Sequence, residues 1–228
     1  REYKEYSQHK EIEEVPLPDE VFIRLQQHHG YPCVTLVEKG DEVKTGQMIG
    51  KAGGFVSSPV HSSVTGKVKA IDYFHHPLGT KAQMIHVQRT DEDAWKLLPK
   101  AGDWQNSPVD ELRNIIQQAG IVGMGGAAFP THVKLAPPEH KNIDVFILNG
   151  CECEPYLTAD HRAMVEMTDK VINGMAIIMK VLGADKGYIG IENNKPDAIE
   201  VLRERIGNLN LGFQVVALQV KYPQGAEK

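Results

Sequence analysis

The sequence is poor in cysteine, with only Cys33, Cys151 and Cys153 among its 228 residues. Three thiols cannot form the paired framework that stabilises small secreted domains, so a reducing compartment is favoured. Cys151 and Cys153 are separated by one residue, which is not the spacing of a CxxC redox motif. Three cysteines alone also cannot supply the four thiolates of a zinc or iron–sulfur site.

Long apolar runs and a strong basic charge are also lacking. The net charge is −5, which gives no broad basic surface for nucleic acid or anionic lipid. The apolar stretches IDVFIL and MAIIM are much shorter than a membrane span requires, and no secretory signal is visible. We therefore expect no nucleic-acid partner and no direct membrane span.

The histidines carry no metal-ligand pattern. The pairs His28–His29 and His75–His76, and the single His61, have no cysteine or carboxylate at ligand spacing beside them. We interpret them as surface or hydrogen-bonded side chains and predict no metal site.

Short apolar runs, separated by glycines and turn residues, fill the first hundred residues. Runs such as CVTLVEKGDEV and GKVKAIDYF are typical of a small β barrel or sandwich. VEKGDEVKTGQMIGK followed by SSPVHSSVTGKVKAI resembles the barrel-sandwich hybrid of biotinyl and lipoyl carrier domains. The hairpin tip reads AGGFVSS and lacks the lysine that such carriers modify. We predict a structural β domain over residues 1–100, without a covalent cofactor.

The second half alternates predicted helices and strands. Ser107 and Pro108 predict the start of a helix that ends before Gly120. The segments IDVFILN, GYIGIE and FQVVALQV are predicted strands, separated by a long helix from Thr158 and a second helix at KPDAIEVLRERIG. This alternation predicts an α/β domain over residues 101–228, with a parallel sheet and right-handed crossovers.

The segment GIVGMGGAAFPTHVKL, residues 120–135, contains a cluster of glycines. It follows a helix and is interrupted by Pro130, so it has neither the context of a dinucleotide fingerprint nor a Walker Gly-Lys-Ser/Thr. A flexible connector is one interpretation. Phe129 and Lys134 favour the other, in which the backbone approaches a flat or anionic ligand. The glycines in question are Gly123, Gly125 and Gly126.

A second cluster, LNGCECEPYLTADHR, follows a predicted strand. In open α/β sheets, ligands bind beyond the carboxyl ends of the strands. Glu152, Glu154 and Asp160 gather there, which indicates a purpose such as accepting hydrogen bonds from sugar hydroxyls. The alternative is that these acids complement the start of a helix, capped by Thr158 and Asp160.

Together, GIVGMGGAAFPTHVKL and LNGCECEPYLTADHRAM closely resemble the C subunit of the Rnf electron-transport complex. More distantly, they are similar to the NADH-binding flavoprotein subunit of respiratory complex I, whose loops read GxGGxGFPxGxKW and NxxExEP. PLPDEVFIRLQQHHGYPCVTLVEKGDEVKTGQMIG and SPVHSSVTGKV resemble the N-terminal domain of the same Rnf subunit. The resemblance implies an all-β barrel-sandwich hybrid domain followed by a Rossmann-like α/β flavin-binding domain.

The resemblance also implies a cofactor and an activity. It implies non-covalent FMN that exchanges a hydride with NAD(H), in an NADH-dependent flavoprotein oxidoreductase, with no catalytic side chain and no metal ligand. The glycine segment would contact flavin and nucleotide, and a facing acidic segment would complete the site. The residues implied as cofactor-binding are Gly123, Gly125, Gly126, Phe129, Lys134, Asn149, Glu152, Glu154 and, by a weaker match, Glu192.

The sequence departs from these families in three respects. Ala128 stands where glycine is usual, and Cys151 and Cys153 replace other residues of the complex I subunit. The C-x-x-C-x-x-C motifs for iron–sulfur clusters are absent, so we expect them after Lys228. We therefore expect an N-terminal piece that cannot pass electrons onward by itself.

The expected partners are the other subunits of a membrane-bound, ion-translocating complex. The protein would then be cytoplasmic and attached peripherally to the inner membrane through those subunits. An alternative function is a cofactor-free scaffold, related to the quinone-reductase A subunit or to amino-acid reductase-associated proteins. The intact glycine segment and the two glutamates favour the flavoprotein.

Overall fold

The structure is a computed structural model that describes residues 2–99, 102–138, 140–209 and 211–226. Contacts along the chain divide it into two compact units. We call Val15–Pro137 the barrel unit, and Arg1–Glu14 together with Pro138–Lys228 the α/β unit. The α/β unit is therefore built from two separate stretches of chain.

The barrel unit contains two antiparallel sheets, which agrees with the predicted all-β texture. Its strands are β1 (Glu20–Arg24), β2 (Val34–Thr35), β3 (Glu42–Val43), β4 (Met48–Lys51), β5 (Val60–His61), β6 (Gly66–His75) and β7 (Lys81–Arg89). One sheet has the order β1-β7-β6-β3 and the other β2-β4-β5.

Apolar cross-strand pairs form the core of the barrel unit. Ile23 of β1 lies opposite Ile85 of β7, and Val68 of β6 lies opposite Val87 of β7. All four side chains are buried. Directly opposed β-branched residues stabilise an antiparallel sheet, so the alternation seen in the sequence becomes one face of this core.

Two helices follow the strands of the barrel unit: α1 (Val109–Gln118) and α2 (Thr131–Lys134). Helix α1 starts one residue later than predicted, because Pro108 is the N-cap and has no side-chain cap bond. Its end is as predicted, with Gly120 in the left-handed region at φ 70°. The N–H of Gly120 bonds to the carbonyl of Gln117 at 3.0 Å, which closes the last turn.

Both helices therefore group with the strands of the barrel unit. The sequence-predicted boundary near residue 100 would have placed them with the α/β domain. Spatial contacts draw the division instead at Pro137.

The α/β unit contains a three-stranded parallel sheet, which confirms the predicted arrangement. Its elements are a 3-10 helix (Lys4–Tyr6), β8 (Val145–Gly150), α3 (Ala159–Glu166), α4 (Thr168–Leu182), β9 (Lys186–Glu192), α5 (Pro196–Leu209) and β10 (Phe213–Leu218). The strand order is β10-β9-β8. The central strand is buried on both faces, with Ile189 and Ile191 fully enclosed, as expected for a parallel sheet covered by helices.

The long helix predicted from Thr158 is in fact two helices, α3 and α4. Met167 leaves the helical conformation, with φ −125° and ψ 32°. The hydroxyl of Thr168 donates to the carbonyls of Met164, at 2.8 Å, and Val165, at 3.1 Å. A threonine that bonds to the preceding turn competes with the helix ladder, which explains the break. Across the part of the chain that the structure describes, we find no helix with the length and apolarity of a membrane span.

Candidate functional site

The loops after the three parallel strands meet at the carboxyl edge of the sheet. The side-chain amide of Asn149, at the end of β8, donates to the carbonyl of Gly225 at 2.9 Å. The backbone N–H of Lys221 donates to Oε1 of Glu192, the last residue of β9, at 3.1 Å. Ligands of open α/β folds bind at this edge, so these loops form the first candidate region. We call residues 151–157 the acidic loop.

Glu152 uses its carboxylate at the start of helix α3. It accepts hydrogen bonds from the backbone N–H groups of Asp160, at 2.6 Å, and His161, at 3.2 Å. Thr158 has no side-chain cap bond, and its hydroxyl instead donates to Ser7 at 2.9 Å. The helix is therefore complemented as the second interpretation of the sequence proposed, but by Glu152 and not by the side chain of Thr158.

Glu154 differs from Glu152 because its side chain is exposed. Within the described ranges its carboxylate has no hydrogen-bond or ion-pair partner, so it is available to a ligand. The neighbouring Tyr156 has a left-handed backbone, with φ 70°. Its ring stacks on Tyr3, with centroids 4.9 Å apart and planes 5° apart.

Lys4, which the sequence analysis did not identify, lies under the acidic loop. It is 4% exposed. Its ammonium group donates to the carbonyl oxygens of Glu152 at 2.7 Å, Glu154 at 3.1 Å and Leu157 at 2.6 Å. One buried cation thus bonds to three carbonyl groups of a loop that lies 148 or more residues away along the chain.

A second buried lysine supports the same loop from the end of β9. Lys195 and Glu192 are both fully buried, and Lys195 Nζ lies 3.5 Å from Glu192 Oε2. The ammonium group also donates to the carbonyl of Cys151 at 2.6 Å. Burial lowers the pKa of Lys195, the nearby Lys4 ammonium lowers it further, and the Glu192 carboxylate opposes both effects. Glu192 is thus enclosed beneath the loop.

The second candidate region is the segment 120–130 of the barrel unit, which we call the glycine loop. The N–H of Gly123 bonds to the carbonyl of Phe129 at 2.9 Å, and the N–H of Thr131 bonds to the carbonyl of Ile121 at 3.0 Å. Hydrogen bonds close the two ends on each other. The segment is therefore a formed loop and not an open connector.

The glycines at the tip of the glycine loop provide space. A Cβ placed on Gly123 would lie 2.7 Å from Lys134 Nζ, whereas one placed on Gly125 would meet no described atom within 4 Å. Neither residue has a positive φ, while Ala128 has φ 52°. The sequence prediction that Lys134 returns a charge to the loop therefore agrees with the structure, and the backbone at Gly125 is open.

Residues of the β sheets anchor the glycine loop within the barrel unit. The carbonyl of Ala128 accepts from the N–H of His29 at 3.2 Å. The ring of Phe129 stacks on the imidazole of His29, with centroids 5.7 Å apart. A Cβ on Gly120 would lie 2.7 Å from the carbonyl oxygen of Pro59. No local sequence pattern indicates these contacts, because each joins positions about 60 to 100 residues apart.

His132 of helix α2 lies buried next to the glycine loop. It is 6% exposed, and neither ring nitrogen has a hydrogen-bond partner among the described residues. Burial lowers its pKa, and the pKa of His61 is lowered for the same reason. Both imidazoles are therefore kept neutral.

The three thiols are free and do not gather into a ligand set. Burial raises the pKa of Cys33 to about 11 and also raises that of Cys151. Cys153 accepts a hydrogen bond from the N–H of Gly225 at 3.2 Å. No group of three metal-ligating side chains occurs in the described ranges.

Two family models match the chain. Residues 1–92 match the RnfC barrel sandwich hybrid domain, and residues 116–228 match the Nuo51 FMN-binding domain. The chain belongs to the RnfC family. The resemblance stated from the two sequence loops is thereby confirmed, as is the fold class of a barrel-sandwich hybrid followed by an α/β flavin domain.

Individual relatives agree with this assignment. The chain is 51% identical, over 99% of its length, to the RnfC-type subunit of the proton-translocating ferredoxin:NAD(+) oxidoreductase complex of Clostridium ljungdahlii. It is 46% identical, over 94% of its length, to the corresponding subunit of the Na(+)-translocating complex of Acetobacterium woodii. It spans 49% and 50% of these two proteins, which is about half of each. A solved NAD+-reducing [NiFe]-hydrogenase chain matches 54% of this chain, and this chain covers 25% of it, with 21% identity and a TM-score of 0.46.

Proposed function

We propose that this RnfC-family chain is the FMN- and NAD(H)-binding part of an electron-transport subunit. It would pass electrons between NAD(H) and iron–sulfur centres through FMN, within an ion-translocating complex. The observation that carries the proposal is the match of residues 116–228 to an FMN-binding domain, since that range contains both candidate loops. The names of its relatives, subunits of ferredoxin:NAD(+) oxidoreductase complexes, support it.

The glycine loop suits an anionic, planar ligand such as FMN. Its backbone is uncovered at Gly125, and the ammonium of Lys134 lies beside Gly123. Unencumbered backbone and a fixed cation are the features that hold phosphate groups. We assign phosphate and ring contacts to Gly123, Gly125, Gly126 and Lys134, with Phe129 fixing the loop through His29.

The acidic loop suits the hydroxyl and amide groups of a nucleotide. We assign Glu154 to accept hydrogen bonds from such groups, because its carboxylate is exposed. Asn149 and Glu152 hold the loop in shape through Gly225 and helix α3. Glu192 acts from below, through Lys195.

When bound, FMN and the nicotinamide supply the chemistry, which is hydride transfer between nicotinamide C4 and flavin N5. The protein binds and orients the two rings, and no side chain has to act as a nucleophile or a general base. The buried thiols of Cys33 and Cys151 are not disposed to ligate a cluster. We therefore assign the iron–sulfur centres to polypeptide outside these 228 residues.

The setting follows from the relatives, which are subunits of ion-translocating complexes. We propose that this chain attaches peripherally to the cytoplasmic side of the inner membrane through its partner subunits.

Titration of the purified chain with FMN tests the proposal. We expect saturable quenching of flavin fluorescence with one FMN per chain, and a preference for FMN over riboflavin if the phosphate is recognised. Absence of binding would favour the cofactor-free scaffold.

A further inference from the structure

The N-terminal segment is part of the α/β unit, although the barrel unit follows it in the sequence. The carbonyl of Glu2 accepts from the N–H of Tyr156 at 2.9 Å. The carbonyl of Gln8 accepts from Arg162 at 3.1 Å, and the N–H of Ile12 donates to a carboxylate oxygen of Glu166 at 3.1 Å. The segment 2–12 therefore runs along the acidic loop and helix α3 as a strap.

Lys4 is the central residue of this strap. Three carbonyl groups of a short loop would repel one another if they pointed at the same point without a cation. The Lys4 ammonium provides three donors and meets the carbonyls of Glu152, Glu154 and Leu157. Bonds between a charged donor and carbonyl oxygens in a buried place are strong, so the loop backbone is fixed by the lysine that it encloses.

The charge of Lys4 is also felt nearby. It lowers the pKa of Lys195, second only to burial, so two ammonium groups share the space under the acidic loop. Glu192 compensates one of them at 3.5 Å. The remaining positive charge lies beneath the exposed side of the loop, where it would favour a bound group that becomes more negative on reduction.

We propose that Lys4 is a positioning residue for flavin binding, which fixes the backbone of the acidic loop and raises the reduction potential of FMN bound there. This inference rests on the proposed function for its second part. Its first part concerns the loop alone.

Lys4→Met tests the inference in the full chain, because methionine has a similar length but neither donors nor charge. Lys10→Met is the matched control, since Lys10 is an exposed lysine of the same segment. We expect faster amide hydrogen exchange in residues 151–158 of Lys4→Met without FMN, and wild-type exchange in Lys10→Met. Lys4→Gln, which keeps two neutral donors, should fall between them and serves if Lys4→Met does not fold.

The second measurement is made at saturating FMN. We expect the affinity of Lys4→Met for FMN to fall about tenfold, the order of effect of losing a charged hydrogen-bond set. The midpoint potential of its bound FMN should shift to a more negative value, and that of Lys10→Met should not change. A loss of stability alone would leave the potential of the folded, loaded fraction unchanged.

Unchanged exchange in residues 151–158 of folded Lys4 variants would overturn the inference. So would faster exchange with unchanged FMN affinity and potential. If the wild-type chain binds no FMN, the proposed function fails instead, and hydrogen exchange still decides whether Lys4 fixes the loop.

Discussion

Lys134 directs its ammonium group to the space that a side chain at residue 123 would occupy, 2.7 Å from the Cβ position of Gly123. We expect Gly123→Ala to displace the lysine, which is flexible, with little loss of stability. If Lys134 contacts the FMN phosphate, the dissociation constant for FMN should rise about tenfold. Fluorescence titration measures this change.

Gly174→Ala is the control for that variant. Gly174 lies inside helix α4, and an added Cβ meets no described atom within 4 Å. Alanine there should keep FMN affinity and stabilise the helix by up to about 1 kcal/mol. Equal FMN affinity in Gly123→Ala and Gly174→Ala would remove Lys134 from the site.

Gly125→Val probes the open backbone of the glycine loop. No described atom lies within 4 Å of the added Cβ, so we expect the unfolding temperature to stay close to that of the wild type. FMN binding should be lost, because the side chain occupies the space assigned to the ligand. A variant that is stable and still binds FMN with wild-type affinity would show that the ligand does not approach Gly125.

The two glutamates of the acidic loop should separate in their effects. Glu152→Ala leaves two N–H groups of helix α3 without acceptors, which should cost about 1–2 kcal/mol in the free energy of unfolding. Glu154→Ala removes an exposed carboxylate and should change stability by less than about 0.5 kcal/mol. Urea unfolding measures both changes.

Nucleotide binding provides the opposite ranking. Glu154→Ala should weaken NADH binding in the FMN-loaded chain, whereas a Glu154 variant with unaltered NADH affinity would argue against its assignment. Because Glu152 acts through the loop and helix α3, its substitution should affect stability and binding together.

His132 should make stability depend on pH. Its folded pKa lies below the ordinary value of 6.5 because of burial. The unfolded chain therefore binds more protons as the pH falls through 6.5, and the free energy of unfolding decreases. His132→Phe should flatten this dependence between about pH 7 and 5.

Urea unfolding across that pH range makes the comparison. His140→Gln replaces an exposed histidine and should keep the wild-type slope. Part of the slope should survive in His132→Phe, because burial lowers the pKa of His61 as well. Identical slopes in His132→Phe and wild type would show that His132 does not titrate differently on folding.

The fold could be predicted from local patterns. Alternating apolar residues are enough to indicate strands such as β6 and β7, and Gly120 ends α1 because only a left-handed residue closes that turn easily. The break at Met167 could not be predicted in this way. It depends on whether the Thr168 hydroxyl turns back to the preceding turn, and an uninterrupted helix has the same apolar spacing.

The candidate site could be predicted only in part. The motifs indicated the residues of both loops, and the return of Lys134 to the glycine loop could be inferred from its spacing. Lys4 could not, because its three carbonyl partners lie 148 to 153 residues away. A lysine near a chain end looks like a solvated side chain until the fold encloses it.

Anaerobic stopped-flow mixing of the FMN-loaded chain with NADH tests the central claim most directly. We predict that the flavin absorbance band bleaches as NADH is oxidised, with no reduced iron–sulfur signal in electron paramagnetic resonance, since the three cysteines are free. An oxidised flavin that stays unbleached at saturating NADH, with FMN demonstrably bound, would contradict the proposed function.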